Sequence, residues 1–207
     1  MSFAGQPILF GEIDLHRIIL ASGSPRRRQL LDLVGIAHEV VVSDVDETIS
    51  GPPDFQVREL ALRKANAVRG MVEGDAVIIA ADTLVFIDGE VLGKPGSADE
   101  AFGMLKALQG RCHTVYTGVA VLRIYCGDVV QEAFFDATRV CFRELTDDEI
   151  WAYIATGEPF DKAGAYGVQE KGALLVDRVE GDFFTVVGLP VAKLAQLLSK
   201  MGVDIWS

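Results

Sequence analysis

The chain has 207 residues, 50% of them hydrophobic and 24% charged, with a net charge of −11. That length and balance suit one large domain or two lobes on a shared core, and they exclude a disordered chain. The negative sign excludes a surface built to displace counterions from nucleic acid, while leaving room for a local basic cluster.

In chain order, residues 17–21 (Arg-Ile-Ile-Leu-Ala) read as a short strand. Ser24-Pro25 opens a helix, with Ser as cap and Pro at the position whose missing N–H has no helical partner, and Gly35 closes it. Glu39 to Val42 reads as a second strand. Asp54 to Glu73 reads as a long helix with Val57, Leu60, Ala61, Val68, Met71 and Val72 on one face. Ala76 to Ala81 is a fully apolar strand of the kind covered on both faces. It is also the longest clean apolar run, too short to span a membrane. Phe86 to Val91 reads as a hairpin turning at Asp88-Gly89. Ser97 to Leu108 is a helix with Ser97 as cap and Glu100 three residues on. Val115 to Tyr125 and Val129 to Phe142 form a long strand pair joined near Cys126-Gly127-Asp128. Thr146 to Ala155 is a helix with a Thr146/Glu149 capping box. Leu174 to Val179 is a strand, and Pro190 opens a last helix that ends near Met201-Gly202. Mixing βα units with a long antiparallel pair predicts an α/β fold on a mixed sheet.

The N-terminus carries Glu12 and Asp14 and has no basic start, which makes a poor signal peptide and points to a cytoplasmic protein. Cys112, Cys126 and Cys141 are odd in number and form no CxxC pair, so they read as reduced, buried thiols. His16, His38 and His113 lie far apart without an HxxxH or HExxH pattern, and each reads as a packing or hydrogen-bonding residue.

Six stretches carry chemistry. In Leu20-Ala-Ser22-Gly-Ser24-Pro25-Arg26-Arg27-Arg28, a strand ends, a small-residue loop follows and a helix begins. The helix N-terminus favours an anion, and arginines, unfavourable there by themselves, make sense around a phosphate. Lys64 has its stem along the apolar stripe, either snorkelling at its edge or reaching into a site. Asp82 ends the apolar strand, where it serves as a turn cap or as a general base or metal ligand. Lys94 sits in a Gly93-Lys94-Pro95 turn that is no Walker loop but can reach a phosphate. Asp161-Lys162-Ala-Gly164-Ala-Tyr166-Gly167-Val-Gln169 is spaced for a tight loop, and a Gln amide can read a base edge.

Asp44-Val45-Asp46-Glu47-Thr48 matches the DxDxT signature of haloacid-dehalogenase-like phosphohydrolases, with Asp44 as nucleophile. That family's lysine motif should precede its Gly-Asp motif, whereas here Gly74-Asp75 precedes Lys94. It is therefore the runner-up enzyme. The better use of these carboxylates is to hold a divalent cation beside phosphates.

Together the pieces resemble the Maf family. The resemblance rests on Leu20-Ala-Ser-Gly-Ser-Pro-Arg-Arg27, Asp44-Val-Asp-Glu47, Lys64-Ala, Ala81-Asp-Thr83, Gly93-Lys-Pro95, His113-Thr-Val-Tyr-Thr-Gly118 and Asp161 to Gln169, in order across residues 18 to 200. It implies one Maf-like domain over residues 1–207, elongated and of the inosine-triphosphate-pyrophosphatase type, with two lobes around a cleft. Residues 1–16 would be a peripheral N-terminal extension. It implies a nucleoside triphosphate substrate cleaved to monophosphate and pyrophosphate. The last stretch resembles the subgroup acting on dTTP and UTP rather than on 7-methyl-GTP. It implies Mg²⁺, Mn²⁺ or Co²⁺, no nucleic acid or membrane partner, and compatibility with a homodimer. On this resemblance Asp82 is the base and, with Glu47, a metal ligand. Ser22, Arg27, Lys64 and Lys94 hold phosphates, and Arg26, Thr83 and Gln169 bear on substrate choice. Glu170 stands where the family often has Gly. A nucleotide-sensing protein linked to cell division is the reading outside enzymes, and the complete charged set, Asp82 included, weighs against it.

Overall fold

A computed structural model describes residues 17–42 and 44–206. The extension expected over residues 1–16 lies outside them. The elements run β1 (Ile18–Leu20), α1 (Pro25–Leu33), β2 (Glu39–Val40), α2 (Pro53–Arg69), β3 (Ala76–Ile87), β4 (Glu90–Leu92), α3 (Ala98–Leu108), β5 (Cys112–Tyr125), β6 (Asp128–Phe142), α4 (Asp147–Ile154), β7 (Val176–Glu180), α5 (Phe183–Val187) and α6 (Val191–Lys200). Three 3-10 turns, Glu158–Asp161, Ala163–Ala165 and Glu170–Leu175, fill the stretch between α4 and β7. The sheet has seven strands in the order β2-β1-β3-β5-β6-β7, with β4 also on β3. β1 is parallel to β2 and β3, and the remaining pairs are antiparallel. This is the expected mixed α/β sheet.

Local chemistry placed many of the ends. Ser97 Oγ accepts from Glu100 N, and Thr146 with Glu149 forms a full capping box. Asp88 and Gly89 both take positive φ, as a two-residue hairpin turn with matched twist requires. Ser24 does occupy the cap of α1, but its side chain makes no capping bond, and its N–H turns back to Ser22 Oγ at 3.3 Å. The long helix stops at Arg69, four residues before the expected end, which leaves Met71 60% exposed.

Two expectations fail for one reason, the register of β5. The strand beginning at Ala76 does not end at Asp82. Pairing with β5 continues unbroken from Ala76 opposite Ile124 to Phe86 opposite Thr114, so Asp82 and Thr83 lie in mid-strand. The same strand meets β6 with Cys112 opposite Cys141, and these two form a disulfide. The expectation of three reduced, buried thiols is thus wrong: only Cys126 is free, and it is exposed.

Because side chains alternate faces along a strand, β3 carries three cores. Val77, Ile79 and Ala81 join Val119 and Val121 of β5 beneath α1 and α6. Ile78 and Ala80, with Ala120 and Leu122, pack on the other face against Ala61, Ala65 and Val68 of α2. Farther along, Val85 and Ile87 join Val115, Val140 and the helices α3 and α4 in a separate cluster. Between the first and last of these, on the same face of β3 and β5, stand Thr83 and Thr117, directly opposite one another. α2 is seated at backbone distance from β5: a Cβ on Gly118 would lie 2.2 Å from the Val57 carbonyl oxygen.

Candidate active site

A cleft of about 630 Å³ opens where the two cores part. Its walls carry five cations, Arg26, Arg27, Lys64, Lys94 and Lys162, and three carboxylates, Glu47, Asp82 and Asp161. That local excess of two positive charges on a chain of net −11 suits an anion.

Arg27 projects from the first turn of α1 and is held on three sides. Nε donates to the Gly188 carbonyl at 2.9 Å, Nη1 to Ser22 Oγ at 2.9 Å and Nη2 to Thr83 Oγ1 at 3.1 Å. A guanidinium has five N–H groups, so one on each terminal nitrogen remains for an anion. Burial lowers the Arg27 pKa from its ordinary value, and neighbouring Asp82 opposes that shift. Ser22 Oγ accepts from both Arg27 and the Ser24 N–H. Both of its lone pairs are occupied, and its hydroxyl hydrogen is left to donate.

Lys64, on α2, does not snorkel at the stripe edge but turns into the cleft. Its Nζ lies 2.6 Å from Asp82 Oδ1 and 2.7 Å from Glu47 Oε1, with the side chain only 15% exposed. The hydrogen bond from Lys64 holds the Glu47 carboxyl below its usual pKa, with further help from Lys94 and Arg27. Glu47 and Asp82 are thus two carboxylates at one point. Among the described residues no group of three or more His, Cys, Asp or Glu side chains is placed to hold a metal ion. Asp44 is exposed and does not line the cleft, which removes the support for the phosphohydrolase reading.

Arg26 reaches across to the loop before β7, with Nη1 2.8 Å from Asp161 Oδ2 and Nη2 3.4 Å from the Asp161 carbonyl. Lys162 Nζ binds Asp161 Oδ1 at 2.8 Å and the Glu158 carbonyl at 2.7 Å. Burial acts to raise the Asp161 pKa, but these cationic donors outweigh it and the result lies below the ordinary value. Asp161 and its neighbour Lys162 are not legible as site residues from the sequence, because the contact that brings Asp161 to the cleft is with Arg26, 135 positions away. Lys94 is exposed on the rim, and Gln169 is half-buried on the wall with no side-chain hydrogen bond among the described residues. Glu170 adopts φ +55°, so the backbone keeps the left-handed turn that a glycine would favour. Tyr166 also lines the cleft, and its hydroxyl meets His113 Nε2 at 2.6 Å.

A positively charged cleft between two cores of a mixed sheet, with outward N–H groups still available, defines a pocket for a polyanion. The chain belongs to the family described as Maf-like protein, whose sequence model matches residues 17–201. It is 50% identical to the dTTP/UTP pyrophosphatase of Moorella thermoacetica over 194 residues, 93% of this chain and 98% of that one. Proteins of the same name from Bacillus cereus, 46% identical over 92% of this chain and 98% of theirs, and from Thermoanaerobacter, 49% identical over 89% and 96%, are similar to it as well. The solved structure of the Staphylococcus aureus Ham1 protein matches over 89% of this chain and 99% of its own at 16% identity, with a TM-score of 0.47. No helix among the described residues is long and apolar enough to cross a membrane.

Proposed function

We propose that the protein is a cytoplasmic nucleoside triphosphate pyrophosphatase that hydrolyses dTTP and UTP to the monophosphate and pyrophosphate. Relatives bearing that activity as their name, at 46–50% identity over nearly the whole chain, support the reading. The observation that carries it is the juxtaposition of a phosphate cradle, Ser22 and Arg27, with the Asp82–Lys64–Glu47 cluster.

A triphosphate brings roughly four negative charges, and its hydrolysis is chiefly positioning and charge neutralisation. The outward N–H groups of Arg27 and the Ser22 hydroxyl hold phosphate oxygens, with Lys94 and Arg26 at the rim. Asp82 takes a proton from a water molecule as its oxygen bonds to the α-phosphorus. The bond from the α-phosphorus to the α–β bridging oxygen breaks, and pyrophosphate leaves against the cations. Lys64 holds both carboxylates in place for this step. Two carboxylates make too small a set to cage an ion alone, but their hard oxygens fit a Mg²⁺, Mn²⁺ or Co²⁺ in a site that the protein supplies only in part. Glu47 and Asp82 would hold that ion, and when bound it neutralises charge on the triphosphate. Gln169, with its amide available, donates to a carbonyl and accepts from the ring N–H of thymine or uracil. Thr83 influences substrate placement through Arg27.

The test is product analysis on purified protein with dTTP, UTP, CTP, GTP and ATP and each cation. Equal amounts of dTMP and pyrophosphate from dTTP, lost in Asp82→Asn, are expected. Release of dTDP and phosphate, or preference for a purine, would overturn the reaction or the substrate assignment respectively.

A further inference from the structure

The three threonines between the cores carry more information than their distances alone, because each hydroxyl has only one hydrogen to give. Thr117 Oγ1 lies 2.7 Å from the Thr185 carbonyl oxygen, which can only accept, so the Thr117 hydrogen is used there. The 2.9 Å contact between Thr83 Oγ1 and Thr117 Oγ1 therefore requires Thr83 to donate. Thr83 then has no hydrogen left, and its 3.1 Å contact with Arg27 Nη2 is donation by the arginine. Every bond in the line runs one way, from the guanidinium through Thr83 and Thr117 to a backbone carbonyl. Thr117 and Thr185 are both fully buried, so no water is at hand to substitute for a missing member.

We infer that Thr117, which does not line the cleft, is a positioning residue for the reaction: its hydroxyl fixes the Thr83 rotor and, through it, the aim of the Arg27 guanidinium. The inference rests on the reading of Arg27 as a phosphate ligand. It assigns Thr83 a place in the same line, with no hydrogen to offer a nucleotide while Thr117 is in place. The Thr185 carbonyl ends the line from α5, so the helix that follows β7 is tied to the cleft floor. The Thr185 side chain points elsewhere, donating to Asp136 Oδ2 at 2.7 Å, and Asp136 is in turn bound by Lys193 at 2.6 Å. That second set of bonds anchors α5 and keeps the carbonyl where Thr117 needs it.

Thr117→Val keeps the side-chain shape and removes only the hydroxyl. It deprives Thr83 of its acceptor, frees that hydroxyl to turn, and loosens one of the three bonds holding Arg27. Misalignment of a donor aimed at transition-state charge is expected to lower kcat by about tenfold or more, with KM changing much less. Thr117→Ser restores the hydroxyl and should return kcat to within about threefold of wild type, since the direction of the chain is kept. Thr83→Val cuts the same chain one step nearer the cleft. It should reproduce the Thr117→Val loss, and it gives the test a second variant if Thr117→Val folds poorly. In an Arg27→Ala background, Thr117→Val should cost nothing further. Wild-type kcat in both valine variants would overturn the inference. So would a Thr117→Ser enzyme as impaired as Thr117→Val, or an undiminished Thr117→Val loss in the Arg27→Ala background. If Arg27→Ala itself keeps wild-type turnover, it is the phosphate role of Arg27 that fails, a result separable from the others.

Discussion

His113 is 3% exposed and packed edge-on against Phe142 and Tyr166, with only Nε2 in a hydrogen bond and Nδ1 without a partner among the described residues. Protonation would place a charge and a second N–H inside an apolar cluster, and burial pulls its pKa from the ordinary 6.5 down to about 4. The folded value lies below the unfolded one, so the unfolded chain takes up the proton first. Stability is complete above the unfolded pKa and is lost as pH falls through the interval between 6.5 and about 4. Over a drop from about pH 7.5 to about pH 5, linkage puts the loss from this one group at about 2 kcal/mol. The assay is urea unfolding at a series of pH values on wild type and His113→Gln, which keeps a polar partner for the Tyr166 hydroxyl without a titratable ring. Carboxylates titrate in both proteins, so the difference between the two curves isolates the imidazole. The variant starts less stable at neutral pH, and the gap should shrink by about 2 kcal/mol on acidification. Parallel curves across that window would refute the argument and would mean that His113 meets a counter-charge or water on acidification.

Three more outcomes follow from the same packing. Gly118→Ala drives a methyl into the Val57–Arg58 backbone of α2 and must push that helix away from β5. It should cost about 1–3 kcal/mol in denaturant unfolding and depress turnover by drawing Lys64 off Asp82, whereas wild-type stability would contradict the close seat. Glu170→Gly relieves a left-handed backbone that costs a non-glycine residue roughly 1 kcal/mol, so it should raise Tm, and a lowered Tm would disprove the strain. Reducing the Cys112–Cys141 bridge, which closes a loop of sequence separation 29, should lower unfolding stability by up to about 3–4 kcal/mol. An unchanged urea midpoint in dithiothreitol would show that the bridge does not constrain the unfolded chain.

What could be read from the sequence was what neighbours in the chain decide. Ser97 with Glu100, Thr146 with Glu149, and Asp88-Gly89 are interactions within a few residues, and the structure has all three. The Ser22–Arg27 loop could be read for the same reason, since strand end, cap and the first two arginines lie within eight positions. What could not be read depends on register. A charge that stops an apolar run makes Asp82 read as a strand end, yet β3 continues because β5 supplies partners on both sides of it. The disulfide is a consequence of that register carried on to β6. Arg26 with Asp161 needs a loop from the far end of the chain. α5 is only five residues, Phe183–Val187, and its Phe-Phe-Thr-Val-Val sequence has no helical preference to announce it.

Placing threonine in two core strands looks costly, since valine at 83 and 117 would join the cores on either side into one. The balance changes once Arg27 and the Thr185 carbonyl are counted. Each added methyl would contribute on the order of 1 kcal/mol by burial. Removing the hydroxyls would leave a guanidinium N–H and a carbonyl unpaired in a water-poor seam, at about 1–3 kcal/mol each and more on the charged side. The threonines are therefore the stable choice for a fold that must hold a half-buried arginine at the cleft. The same two positions interrupt the core, leave room for the cleft, and fix what lies at its floor. An arginine held on three sides before any nucleotide arrives needs little reorganisation when charge builds on the phosphates. That is the condition under which electrostatic stabilisation contributes most to rate.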